Sequence, residues 1–307
     1  MRIVINRIKN RTFAKTITKL YTMNNTTIIL GNGFDIDLGW KTSYRNIFTH
    51  PILTNPLFRY GGSSYVKNLV DGECWSDFEG YLRKCVEELD DTKVKELNFF
   101  WILCRNNILN YFNYQSNQSY IYQTNQNSCA YHFITHIVDN QIFSFNYTNP
   151  FKKLGLADFP IDFVHGKLEG AFNGSEIKVG IDNSVVNPII KNEMIAPLVK
   201  SSGSDAVYRM LSSIKETDTL IIYGHSLGIT DSDYFKPIFE SMIDSTIANK
   251  NVYLVTRDAS CITTIAEHMA DYGINYDKLH LSNNSFHHVF TCEGADSKKF
   301  KEMMKML

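Results

Sequence analysis

The chain has 307 residues, 44% hydrophobic and 13% aromatic, enough to bury a large core as one α/β domain or as a core with an inserted subdomain. Its formal charge is -1 and its basic residues form a block only at the extreme N-terminus, so it lacks the electrostatic footprint of a protein that binds nucleic acid directly or sits on an anionic membrane. No apolar run approaches the roughly 18 residues of a membrane span, and the six scattered cysteines, none at zinc-type C-x2-4-C spacing, read as reduced, mostly buried residues of a cytoplasmic protein without a metal.

Residues 1–23 read as a basic extension. The first 22 hold six Lys/Arg and no acid, but no apolar core or small-residue cleavage site of a signal peptide, and Met23 then opens MNNTTIILGNGFD. Residues 24–307 read as a single α/β domain. Its β-type segments are TTIIL (26–30), QIFSF (141–145), IDFV (161–164), IKVGI (177–181), TLIIY (219–223) and NVYLV (251–255). Several are apolar throughout, as strands covered on both faces should be. Helical periodicity fills the intervals 75–89, 94–114, 232–248 and 260–272. This alternation predicts a mainly parallel, Rossmann-like sheet flanked by helices. The long interval after the first strand is expected to hold a helical insertion, residues 50–135, packed over one end of the sheet. Within it, the Asn/Gln/Ser-rich stretch 113–128 reads as a loop.

Four motifs follow strands, where ligands collect in open parallel sheets. In ILGNGFD, Gly31 and Gly33 allow a phosphate or ribose to approach the backbone of the next helix's first turn, although Ile36 stands where a G-x-G-x-x-G fingerprint needs glycine. In FSFNYT, Asn146 offers an amide with both donor and acceptor, suited to a ribose hydroxyl or a water. In FVHGK, His165 is the residue type best matched to general-base work near neutral pH. In IIYGHSLG, Gly224, Ser226 and Gly228 match the nucleophile elbow of α/β-hydrolases, and Asp258 with His287 or His288 completes a triad in the right order, so a serine hydrolase stands as a rival reading. Asp77 and Glu79 read as capping or solvated acids beside the cleft, and Asp35 as a functional one.

Taken together and in this order, ILGNGFDIDLGWKTSY, WSDFE (75–79), FSFNYT, VHGKLEGAF and IIYGHSLGITDSDYF resemble the bacteriophage abortive infection AbiH family over about residues 24 to 245. That family is similar to the sirtuin-like NAD-binding fold. The resemblance implies a cradle for pyrophosphate and ribose made of Gly31, Asn32, Gly33, Phe34, Asp35, Gly224, His225 and Ser226, with Asn146 and His165 as the catalytic pair. Thr148 stands where sirtuins have an Asp after the Asn, and their zinc-binding cysteines are absent. Deacylation is therefore not expected. What remains is hydrolysis of NAD or a related nucleotide when infection is sensed. A nucleotide-sensing protein on the same fold that turns nothing over is the alternative. The partners implied are a nucleotide ligand, a phage-derived trigger and further copies of the chain in a homo-oligomer, with no direct nucleic acid and no membrane.

Overall fold

The structure, a computed structural model, describes residues 26–50, 65, 77–115, 122–138, 140–156, 159–168, 177–182, 185, 187, 192–200, 205–244, 250–281 and 285–307. The basic extension expected over 1–23 lies outside them, as do the first part of the expected insertion and the middle of the polar stretch 113–128.

Six parallel strands form one sheet: β1 (Thr26–Leu30), β2 (Gln141–Ser144), β3 (Ile161–Phe163), β4 (Thr219–Tyr223), β5 (Asn251–Thr256) and β6 (Ser285–Phe290), in the order β3-β2-β1-β4-β5-β6. The helices named below are α1 (Asn32–Asp37), α2 (Tyr44–Phe48), α3 (Phe78–Glu87), α4 (Val94–Gln115), α5 (Cys129–Ile134), α6 (Asp205–Glu216), α7 (Ser232–Ile243), α8 (Ser260–Asp271), α9 (Tyr276–Leu281) and α10 (Lys298–Met304). The arrangement is Rossmann-like, and its strand order reverses between β1 and β4, which makes that pair the topological switch point.

Alternate residues of the strands feed two cores, following the period-2 geometry of a strand. Ile29, Phe143, Leu220, Ile222, Val252 and Leu254 pack against Met210 and Ile214 of α6, Phe235 and Phe239 of α7, and Met269 of α8. Ile28, Leu30, Ile142, Ile221, Tyr223 and Val255 pack on the other face against Phe133 of α5 and Phe300 and Met303 of α10. All five residues of β1 and all five of β4 are buried, which is why TTIIL and TLIIY carry no polar side. A third cluster belongs to the helical layer: Ile47 and Phe48 of α2, Phe78, Leu82 and Val86 of α3, and Leu97, Phe100, Cys104 and Ile108 of α4. Ser43, Asp77 and Ser128 accept backbone N–H groups at the starts of α2, α3 and α5, so the capping reading of Asp77 holds.

Two local readings are corrected. IKVGI is not a strand of the sheet: Ile181 forms a single bridge with Val199, and Ile177, Val179 and Ile181 bury themselves in the helical layer instead. A side chain at Gly180 would strike the Leu198 carbonyl, so this segment is shaped to lie against the 196–200 stretch. The sheet also has a strand that periodicity missed, β6, whose half-exposed residues follow from its position at the edge. Among the described residues no helix is long and apolar enough to cross a membrane.

Candidate functional site

Strand register brings the motifs to one edge. Leu30 pairs with Ser144 and Tyr223, Ser144 with Phe163, and Tyr223 with Val255, so the chain leaves five strands at one level. Gly31, Asn146, His165 and Gly224 all lie just beyond it.

The glycines of GNG face protein. Gly31 N–H donates to the Tyr223 carbonyl at 2.9 Å and Gly33 N–H to the Gly224 carbonyl at 2.8 Å. A methyl group on Gly31 would come within 2.5 Å of His225 Cα, one on Gly33 within 2.8 Å of Gly224 Cα, and one on Gly224 within 2.3 Å of the Phe34 nitrogen. Gly224 also has φ +65, a conformation that favours glycine. The two turns at the switch point are therefore pressed backbone to backbone, and bulk on either would separate them. Phe34 points into the core against Phe133 and Tyr223, leaving only its backbone near the edge.

On the β2 side of this contact lies a small chamber of about 70 Å³, lined by Asn32, Asp35, Thr42, Tyr44, Phe145, Asn146, Tyr147, Thr148 and His165, with Ile47 and Phe112 from the helical layer. It has room for a few waters but not for a nucleoside. Asn146 donates both amide hydrogens, to the Gly31 carbonyl and to Asp35 Oδ1, each at 3.0 Å. Its Oδ1 has no partner among the described residues. Thr148 donates to Asp35 Oδ2 at 2.5 Å. Burial pushes the Asp35 carboxyl up to about 7, against the opposing pull of the Thr148, Asn146 and Thr42 side chains. The carboxylate beside Asn146 thus comes from the GNGFD motif.

Behind His165 is a buried ionic cluster. Lys200 Nζ lies 2.8 Å from both Glu79 Oε2 and Asp231 Oδ1. Glu79 also accepts from Thr230 Oγ1 at 3.2 Å and Gly180 N–H at 3.1 Å. His165 Nε2 sits 3.1 Å from Asp231 Oδ1, off the line of a well-formed hydrogen bond. His225 Nε2 is 3.5 Å from Asp231 Oδ2, while its Nδ1 accepts the Leu227 N–H at 2.9 Å. Burial pushes His225 down to about 4 and keeps it neutral at physiological pH. Burial alone would raise Asp231, but Lys200 and the two histidines outweigh it and hold the carboxyl well below its usual range.

On the β4 side lies a larger cavity of about 580 Å³, lined by Gly33, Gly224, Ser226, Thr256, Arg257, Thr264, Ile265 and His268 among others. Its size suits a bound small molecule, and its place, beyond the carboxyl ends of β1, β4 and β5, is where open α/β sheets bind ligands.

A family model described as Bacteriophage abortive infection AbiH matches residues 27–253. The chain belongs to the AbiH family, a family of phage abortive infection. Comparison with curated proteins and with solved structures gives no match.

In this AbiH-family chain the expected site residues divide between two cavities. Asn32, Asp35, Asn146 and His165 line the small chamber; Gly33, Gly224, His225 and Ser226 line the large one. The hydrolase triad is not assembled. Ser226 is exposed beyond β4, and the residues with positive φ in its turn are Gly224 and Leu227. His287 and His288 lie on the edge strand β6 in register with Tyr253 and Leu254, His288 Nε2 is engaged by the Tyr276 hydroxyl at 2.7 Å, and Asp258 is held by Arg257 and Ser260. The reading of Glu79 as solvated surface is also overturned, because it is buried against Lys200. Sequence reasoning missed Lys200, which no pattern distinguishes, and Asp231, although that residue sits inside GHSLGITDSDYF.

Proposed function

We propose that this protein protects bacteria from phage by binding a nucleotide across the switch point and hydrolysing it, with NAD as the first candidate. One observation carries the reading: the paired glycine turns stand between a cavity of about 580 Å³, large enough for a nucleoside phosphate, and a smaller chamber lined by Asn146 and His165. A dinucleotide has two halves to place. Its adenosine end suits the large cavity, and its nicotinamide ribose the chamber. In the reaction the nicotinamide–ribose bond breaks, and nicotinamide leaves with the bonding pair. Water forms the new bond at the ribose carbon, and His165 takes its proton. The free Oδ1 of Asn146 orients that water or the ribose hydroxyls.

The chamber's volume of about 70 Å³ requires the helical layer to move away before a ribose enters. That small volume favours a second reading, in which the nucleotide is sensed in the large cavity alone. The test is calorimetry and mass spectrometry on the purified protein with NAD, NADP, ADP-ribose and ATP. Binding with product formation supports hydrolysis. Binding without turnover transfers the case to the sensor, and absence of binding for the whole panel ends both.

A further inference from the structure

We infer that Asp231 is a positioning residue that holds His165 in the tautomer whose Nδ1 accepts a proton, a role that rests on His165 acting as the base. Asp231 occupies the N-cap position of α7, where an Asp ordinarily accepts a backbone N–H of the first turn, yet its side chain makes no capping bond. The carboxylate is turned instead into the buried cluster, where Oδ1 faces Lys200 Nζ and His165 Nε2 and Oδ2 faces His225. Forgoing the cap needs another purpose, and the buried histidines supply it.

The two histidines at this carboxylate are not equivalent. His225 uses Nδ1 as acceptor from Leu227 N–H, so its proton is on Nε2 and neither nitrogen is open for transfer. His165 has Nε2 against Asp231, no partner for Nδ1 among the described residues, and a ring that lines the chamber. With the hydrogen on Nε2 directed at an ionised carboxylate, the lone pair stays on Nδ1. When Nδ1 takes the proton of the attacking water, the positive charge that forms is held by Asp231. Lys200, shared with Glu79, keeps Asp231 ionised and in place. In the structure His165 Nε2 lies 3.1 Å from Asp231 Oδ1 without a formed hydrogen bond, and the role requires that contact to align when substrate binds, as catalytic hydrogen bonds commonly do.

The experiment is long-range proton–nitrogen NMR of protein labelled in its histidine rings, with the His165 signals assigned by their loss in His165→Asn. The parent is expected to show His165 protonated on Nε2. Asp231→Asn should mix or invert that tautomer. It should also lower kcat for nucleotide roughly 10²- to 10⁴-fold with little change in KM, and Asp231→Glu should recover part of both. A parent signal with the proton on Nδ1 overturns the inference without any variant. So does an unchanged tautomer in an Asp231→Asn protein whose circular dichroism and thermal unfolding match the parent. A tautomer that responds to Asp231 in a protein that consumes no nucleotide would refute the hydrolysis alone and leave the positioning role standing.

Discussion

Asp35 is a carboxyl group in a place that favours its neutral form, and this makes a pH-dependent prediction. Its folded pKa is raised to about 7 by burial, against 3.8 for an unperturbed Asp. Between those values the folded chain binds a proton that the unfolded chain has released, so the stability Asp35 contributes falls as pH rises through the window and levels off above it. His225 acts in the opposite sense between about 4 and 6.5, because burial lowers its pKa and the unfolded state binds the extra proton. The difference between the parent and Asp35→Asn isolates the first effect. Urea denaturation should show that difference shifting against the parent, by a few kcal/mol from about pH 4 to about pH 7. A pH-independent difference would mean that Asp35 stays ionised in the fold.

At the scale of elements, Lys200 ties helix α3 to the entry of α7. Its side chain is 1% exposed, and its ammonium neutralises Glu79 on one side and Asp231 on the other. Lys200→Met would leave two buried carboxylates without their cation, which should cost about 3–5 kcal/mol in chemical denaturation. Glu79→Gln should cost less, because Asp231 would keep the lysine. Hydrogen exchange should quicken in α3 of the lysine variant before it does in β1 or β4, since α3 packs in the helical layer and those strands form the middle of the sheet. A Lys200→Met protein as stable as the parent would show that the cluster does not hold the helical layer down.

For the whole molecule, two cavities on either side of one backbone contact predict a separation of binding from turnover. Asn146→Ala and His165→Ala should each abolish nucleotide consumption and phage protection while changing the nucleotide Kd less than about tenfold, since the larger cavity does not include them. The double variant should be no worse than either single one, because each removal disables the same step. Gly224→Ala should instead lose the fold, because its methyl would lie within 2.3 Å of the Phe34 nitrogen at a φ that disfavours alanine. Isothermal titration and thermal unfolding of these variants separate the outcomes. Single variants that consume nucleotide at the parent rate would remove the catalytic role of the pair.

The amino-acid order by itself determined the parallel sheet, because TTIIL, TLIIY and NVYLV are apolar on both sides of the strand and alternate with helical periods, as a sheet covered on both faces requires. It also brought the four motifs to one edge, since each follows a strand and all strands run the same way. β6 escaped because an edge strand with half-exposed residues lacks the apolar run, and IKVGI misled because the same composition serves a segment buried among helices. Only the tertiary structure decided what the glycines face, for the turn pressed against Gly33 lies about 190 positions away in the chain. Only it placed Lys200 between Glu79 and Asp231, residues 121 and 31 positions distant. Periodicity reports which side of an element meets the core. Which particular side chain waits there, and whether a glycine meets a ligand or another backbone, is set when distant segments pack together.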